Sequence, residues 1–202
     1  MESVIFATKG NLMAAKRSLA LARTGYELMD KKRNILIREV MQLVDKANTI
    51  QDEIDEVFGN AYQSLQQANI FLGIINSIVE AVPIDDGLQI RTKSIMGVEV
   101  PIVNLKDRDI GIPYGLTESA ATLDNAYINF LKVKKLCATL AEIENSVYRL
   151  AVAIKKTQRR ANALKNVILP KLESTIKYIS GALEEKERED FSRLKVIKAQ
   201  KN

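Results

Sequence analysis

Between Leu12 and Ile78 apolar side chains recur with an unbroken seven-residue period. One series is Leu12, Leu19, Tyr26, Arg33, Val40, Ala47, Ile54, Ala61, Ala68 and Ile75. The other is Ala15, Ala22, Met29, Leu36, Leu43, Ile50, Val57, Ser64, Phe71 and Ile78. Counting Tyr as apolar, only Arg33 and Ser64 break the pattern. A helix held to a period of 3.5 residues keeps one seam toward a partner only by supercoiling to the left. No proline falls between Thr8 and Val82. At about 1.5 Å per residue such a helix runs for about 100 Å. A compact domain of this length is much shorter.

A second seam follows. It runs Val133, Leu136, Leu140, Ile143, Val147, Leu150, Ile154, Thr157, Ala161, Leu164 and Ile168, then Leu172, Ile176, Ile179 and Leu183. Near Pro170 the steps become four, four, four, which reads as a stutter that locally unwinds the coil. Pro170 lacks an N–H and is expected to bend the helix. Thr117, with Glu118 after it, is a suitable N-cap for this second helix.

Residues 83–116 hold three of the four prolines and divide a first helix, 1–82, from a second, 117–202. In that insert Leu88, Ile90 and Thr92 alternate with Gln89, Arg91 and Lys93. Past Ile95-Met96-Gly97, Val98, Val100 and Ile102 alternate with Glu99, Pro101 and Val103. Period two on both sides of a turn predicts a β-hairpin, with Pro101 at an edge position. The expected fold is all-α: one elongated domain, a long two-helix antiparallel left-handed coiled coil. Its short β-hairpin insert lies at the end away from the termini, and residue i lies beside roughly 198 − i.

Composition narrows the chemistry. The chain has no His, which removes the commonest general base and metal ligand. Cys137 is the only cysteine, so no internal disulfide forms, which fits a reducing compartment. It sits in an apolar helical stretch and is expected to pack. No GxGxxG or GxxxxGKS/T loop is present. The acidic groups Asp52-Glu53, Asp55-Glu56, Asp107 and Asp109 read as solvated faces. No catalytic residue, cofactor site or metal site is predicted. The most apolar window, Ile70 to Val82, includes Asn76, Ser77 and Glu80 and is too short to span a bilayer. No signal peptide is evident at Met1 to Thr8. A cytoplasmic protein without direct membrane insertion is expected.

Charge gives the helices a direction. Residues 1–46 carry nine basic and five acidic side chains, and residues 149–202 carry fourteen and six. Residues 47–148 carry seven and fourteen, and Ala47 to Val82 has no Lys or Arg. In an antiparallel pair the two basic segments lie together. Lys31-Lys32-Arg33 then meets Lys155-Lys156 and Arg159-Arg160 in a basic belt. A solvated face is the simplest reading of such a run. Nucleic acid competes, but acids are interleaved and no aromatic platform accompanies the basic residues. A free-standing coiled-coil adaptor also fits the periodicity.

Two stretches resemble the D subunit, the central rotor stalk of V/A-type rotary ATPases. The first is Thr8-Lys9-Gly10-Asn11-Leu12 with Lys16-Arg17-Ser18-Leu19, Ala22-Arg23-Thr24-Gly25-Tyr26-Glu27-Leu28 and Lys31-Lys32-Arg33-Asn34-Ile35-Leu36. The second is Thr157-Gln158-Arg159-Arg160-Ala161-Asn162-Ala163-Leu164. It continues through Ile168-Leu169-Pro170-Lys171-Leu172, Thr175-Ile176-Lys177-Tyr178-Ile179 and Leu183-Glu184-Glu185-Lys186-Glu187-Arg188-Glu189. Ala7 stands where the family often has Pro. The resemblance covers nearly the whole chain, the insert more loosely. It implies a non-catalytic torque shaft that couples ATP hydrolysis or synthesis to ion transport and is peripheral to the membrane. Its terminal end would enter a hexamer of catalytic A and regulatory B subunits, with Lys31, Lys32, Arg33, Lys155, Lys156, Arg159 and Arg160 facing the bore. The hairpin end, through Leu88, Ile90, Thr92, Val98 and Val100, would meet the F subunit of the stalk or act as a regulatory hairpin that tunes hydrolysis. It would also sit on the socket subunit of the membrane ring. An F-type γ subunit would need a larger α/β domain than this insert can hold.

Overall fold

The computed structural model describes residues 6–73, 80, 82, 84, 87–106, 114 and 121–200. Helix α1 spans Lys9–Leu72. Strands β1 (Leu88–Ile95) and β2 (Val98–Leu105) form an antiparallel hairpin. Helix α2 spans Ala121–Ala163, a π turn occupies Leu164–Ile168, and α3 spans Leu169–Gln200. The seam positions Ile75 and Ile78 and the cap Thr117-Glu118 lie outside the described residues.

Helix α1 starts where Thr8 caps it. The Asn11 N–H donates to Thr8 Oγ1 at 3.2 Å and the Leu12 N–H to the Thr8 carbonyl at 3.0 Å. The Asn11 amide also donates to the Phe6 carbonyl at 2.8 Å, which ties the segment before the helix to its first turn. The helix ends at Leu72, ten residues before the Val82 boundary drawn from proline spacing. Gly73 takes φ +73°, and its N–H bonds the Asn69 carbonyl at 3.0 Å. A left-handed residue at this position stops a helix, and glycine adopts it without a Cβ penalty.

The chain divides into two compact units. The first comprises residues 1–35 with 154–202, and the second residues 36–153. In the first, α1 packs against the end of α2, the π turn and α3, with Ala161, Thr157 and Ile179 buried. Lys9 pairs with Glu187 at 2.9 Å and Arg23 with Glu173 at 2.7 Å. The Lys165 ammonium lies 5.9 Å from the centre of the Tyr26 ring. In the second, Leu36, Ile54, Ala61 and Ala68 face Leu123, Ala126, Val133, Ile143 and Leu150, all buried. Every described α1 seam position is buried or half-buried except Phe71. Phe71 sits in the last turn of α1, where the facing helix α2 is only beginning, and stays 74% exposed. Cys137, expected to pack, is exposed, one position past the seam residue Leu136.

Near Pro170 the structure corrects the seam. Ile168, assigned to it by spacing, is exposed, while Leu169 is half-buried. The seam therefore steps five residues from Leu164 to Leu169 and resumes the three–four pattern through Leu172, Ile176, Ile179 and Leu183. A step of five is one extra residue, and the π turn absorbs it. The Leu169 N–H bonds the Leu164 carbonyl, five residues back. The widened turn immediately precedes Pro170, whose ring would crowd the carbonyl four residues back in a regular helix. Antiparallel partners also sit closer to the turn than 198 − i. Residue numbers sum to 196 for Lys9–Glu187 and Arg23–Glu173 and to 193 for Ser64–Asn129.

Candidate interaction surfaces

The basic belt forms within the first unit. The Arg33 guanidinium donates to Gln158 Oε1 at 3.0 Å, which brings the 31–33 and 155–160 segments together. Lys31, Lys155, Lys156, Arg159 and Arg160 are exposed, and Lys32 is half-buried. Arg33 differs from them. Its guanidinium turns inward to Asp30 at 2.7 Å and to Asn34 Oδ1, with a quarter of the side chain exposed. Lys155 and Arg159 are four residues apart on α2, as are Lys156 and Arg160. Like charges at this spacing destabilise a helix by about 0.2–0.5 kcal/mol per pair. Among the described residues, none of these four cations makes an ion pair. The first unit holds twenty basic and nine acidic residues, for +11, and the second ten and sixteen, for −6.

The hairpin belongs to the second unit. Met96-Gly97 forms its two-residue turn, with φ +51° and +76°. Positive φ at both central residues is the turn whose twist matches paired strands. This turn sets the register Ile95↔Val98, Lys93↔Val100, Thr92↔Pro101, Ile90↔Val103 and Leu88↔Leu105. Residues directly opposite share a face. The five hairpin residues expected to form one surface are therefore divided. Leu88, Ile90 and Thr92 share a face with Pro101, Val103 and Leu105, whereas Val98 and Val100 lie on the other with Arg91 and Lys93. Leu88 and Ile90 are 50% and 64% exposed, but Val100 is buried. The split follows from the strand period of two: a shift of one residue in register moves a whole set of side chains to the opposite face.

Two residues that spacing did not single out position this hairpin. The Val103 N–H donates to Glu142 Oε2 at 2.7 Å, and Arg149 Nη1 donates to the Glu99 carbonyl at 3.2 Å. Both backbone groups belong to the outer edge of β2. Pro101 lies midway between them with the same parity, so its missing N–H falls on that edge and not in the ladder. Glu142 and Arg149 are one heptad apart, about 10 Å along a helix, and Glu99 and Val103 are about 13 Å apart along a strand. That heptad spacing beside the seam was the available signal. The hairpin is thus held along α2 at 142–149, about 30 Å from the start of that helix.

A second clamp joins Tyr114 to the helices. Its hydroxyl donates to Asp124 Oδ1 at 2.6 Å, and its ring meets Tyr127 edge-on at 6.1 Å over Ala68 and Leu123. Burial, with the Asp124 carboxylate adding to it, holds the Tyr114 phenol well above its usual pKa. Among the described residues no cluster of three or more potential metal ligands occurs, and no helix is long and apolar enough to cross a membrane.

The family model for the D subunit of ATP synthase matches residues 11–199. The chain is 45% identical over 193 residues to the D subunit of the V-type ATP synthase of Thermotoga neapolitana, covering 95% of each chain. It is 36% identical over 197 residues to the D subunit of the A-type ATP synthase of Pyrococcus horikoshii, covering 95% of this chain and 92% of that one. With the corresponding protein of Methanosphaera stadtmanae the identity is 35% over 196 residues. The match takes in both seams, the hairpin between them and the basic segments, and on these grounds the chain belongs to the D-subunit family of V/A-type ATP synthases.

Proposed function

We propose that this chain is the non-catalytic central shaft of a V/A-type rotary ATPase, transmitting torque between a catalytic hexamer and a membrane ion-translocating ring. In this reading the parts 1–82, 83–116 and 117–202 act as one elongated domain, peripheral to the membrane on the cytoplasmic side. The observation that carries it is the belt of Lys155, Lys156, Arg159 and Arg160, without ion pairs among the described residues, in a unit of charge +11. Two like-charged pairs cost helix stability unless acidic groups of a partner meet them. A bore of alternating A and B subunits lined by acidic loops supplies that charge. Exposed polar contacts form and break as a rotor turns, whereas a large apolar interface would hold it. The F subunit and the socket subunit take the hairpin end, with Leu88, Ile90 and Thr92 as the accessible contacts.

Co-purification tests the reading. The wild-type chain is expected to retain an ATPase-active hexamer. The variant with Lys155, Lys156, Arg159 and Arg160 all changed to Glu is expected to release it, with a weaker salt dependence of binding. Unchanged assembly and unchanged coupling of hydrolysis to ion transport in that variant would sink the proposal.

A further inference from the structure

The two polar residues of the α1 seam, Arg33 and Ser64, are each half-buried, and each reaches across to a polar side chain of α2. Arg33 donates to Gln158 Oε1 at 3.0 Å while held by Asp30 at 2.7 Å. The Ser64 hydroxyl donates to the Asn60 carbonyl at 2.8 Å and accepts from Asn129 Nδ2 at 3.3 Å. One such contact lies in each compact unit. Apart from Tyr26, Met29 and Phe71 on α1 and Thr157 on α2, the rest of the described seam is aliphatic or alanine. Sliding one helix along the other by a heptad would again set apolar residues against apolar residues. Arg33 tolerates that slide in neither direction, and Ser64 loses its polar partner in the direction that sets it against Leu136. Moved by seven residues, Arg33 would meet Ala151 or Lys165 in place of Gln158, and Ser64 would meet Thr122 or Leu136 in place of Asn129. A guanidinium at a half-buried position facing Ala loses a charge-assisted bond, and facing Lys it meets a like charge.

We infer that Arg33 with Gln158 and Ser64 with Asn129 form a register lock, selecting one antiparallel alignment of α1 on α2 from among heptad-shifted alternatives. Polar residues at seam positions give up stability for uniqueness of alignment in coiled coils generally. Arg33 is accordingly a positioning residue within the helix pair. The device is independent of whether the chain turns inside a hexamer.

The test is a distance measurement between spin labels by double electron–electron resonance on the full chain. For the first unit, labels go on Leu21→Cys and Lys186→Cys with Cys137→Ser, and for the second on Gln66→Cys and the native, exposed Cys137. The parent protein should give one distance for each pair. Because α1 is one continuous helix, Arg33→Leu should add a second distance to both pairs, and Ser64→Leu a smaller fraction of the same, reflecting an axial slide of about 10 Å. Gln158→Leu should reproduce the first effect, and Arg33→Lys should suppress it. Helical circular dichroism should be retained throughout. A single unshifted distance in both leucine variants would overturn the inference and assign register to apolar packing. Loss of helicity would also overturn it, because these residues would then maintain the fold and not choose its alignment.

Discussion

Replacing Glu142 with Ala tests whether the hairpin is held by its outer edge. In the structure Glu142 Oε2 accepts the Val103 N–H at 2.7 Å, a length typical of a bond to an ionised acceptor. Hydrogen bonds to charged groups contribute about 1.5–3 kcal/mol. Both residues are half-buried, so water replaces part of the loss and about 1.5 kcal/mol is expected, the lower end of that range. Every 1.4 kcal/mol is a factor of ten. Amide hydrogen exchange at Val103 in Glu142→Ala should therefore be about tenfold faster than in the parent. The amides of Val100 and Ile102, which face β1, should change less. Glu142→Gln keeps an acceptor without the charge and should recover about half the protection. Equal exchange at Val103 in the parent and the Ala variant would refute the edge clamp. The hairpin would then be held by the Arg149 bond to the Glu99 carbonyl and the burial of Val100.

Two further outcomes follow from named contacts. Tyr114→Phe should lower stability by about 1.5–3 kcal/mol at neutral pH through loss of the bond to Asp124. Because the folded-state pKa of Tyr114 is raised, its contribution is complete below about pH 10 and is lost as pH rises beyond it. The gap in Tm between parent and variant should be constant to about pH 9 and close above pH 10. Deleting the exposed Val167 restores an unbroken heptad, but it places Pro170 in a regular helix at a cost of about 3 kcal/mol. The deletion alone should thus lower Tm, and the deletion combined with Pro170→Ala should regain it. Equal Tm values for the two would show that the π turn does not accommodate the proline.

Much of this protein was legible in one dimension. The period of 3.5 gave both helices and their seams, because side-chain direction in a helix depends only on local backbone geometry. The period of two gave the hairpin for the same reason, and counting charged residues located the basic segments. The limits of that reading are equally physical. Gly73 ends α1 early, and its place in an apolar run gave no hint that it would take a left-handed conformation. Spacing by fours at Pro170 allowed either a distributed stutter or a single wide turn, and burial of Leu169 in place of Ile168 decided for the turn. Alternation alone did not tell which hairpin residues would share a face. That depended on a two-residue turn and on which edge of β2 met Glu142 and Arg149. Among the seven basic residues chosen for the belt, only the packed pair showed that Arg33 points inward to Asp30 and Gln158. Periodicity is encoded residue by residue, whereas register, edge pairing and the direction of a long polar side chain are chosen by contacts between segments far apart in the chain.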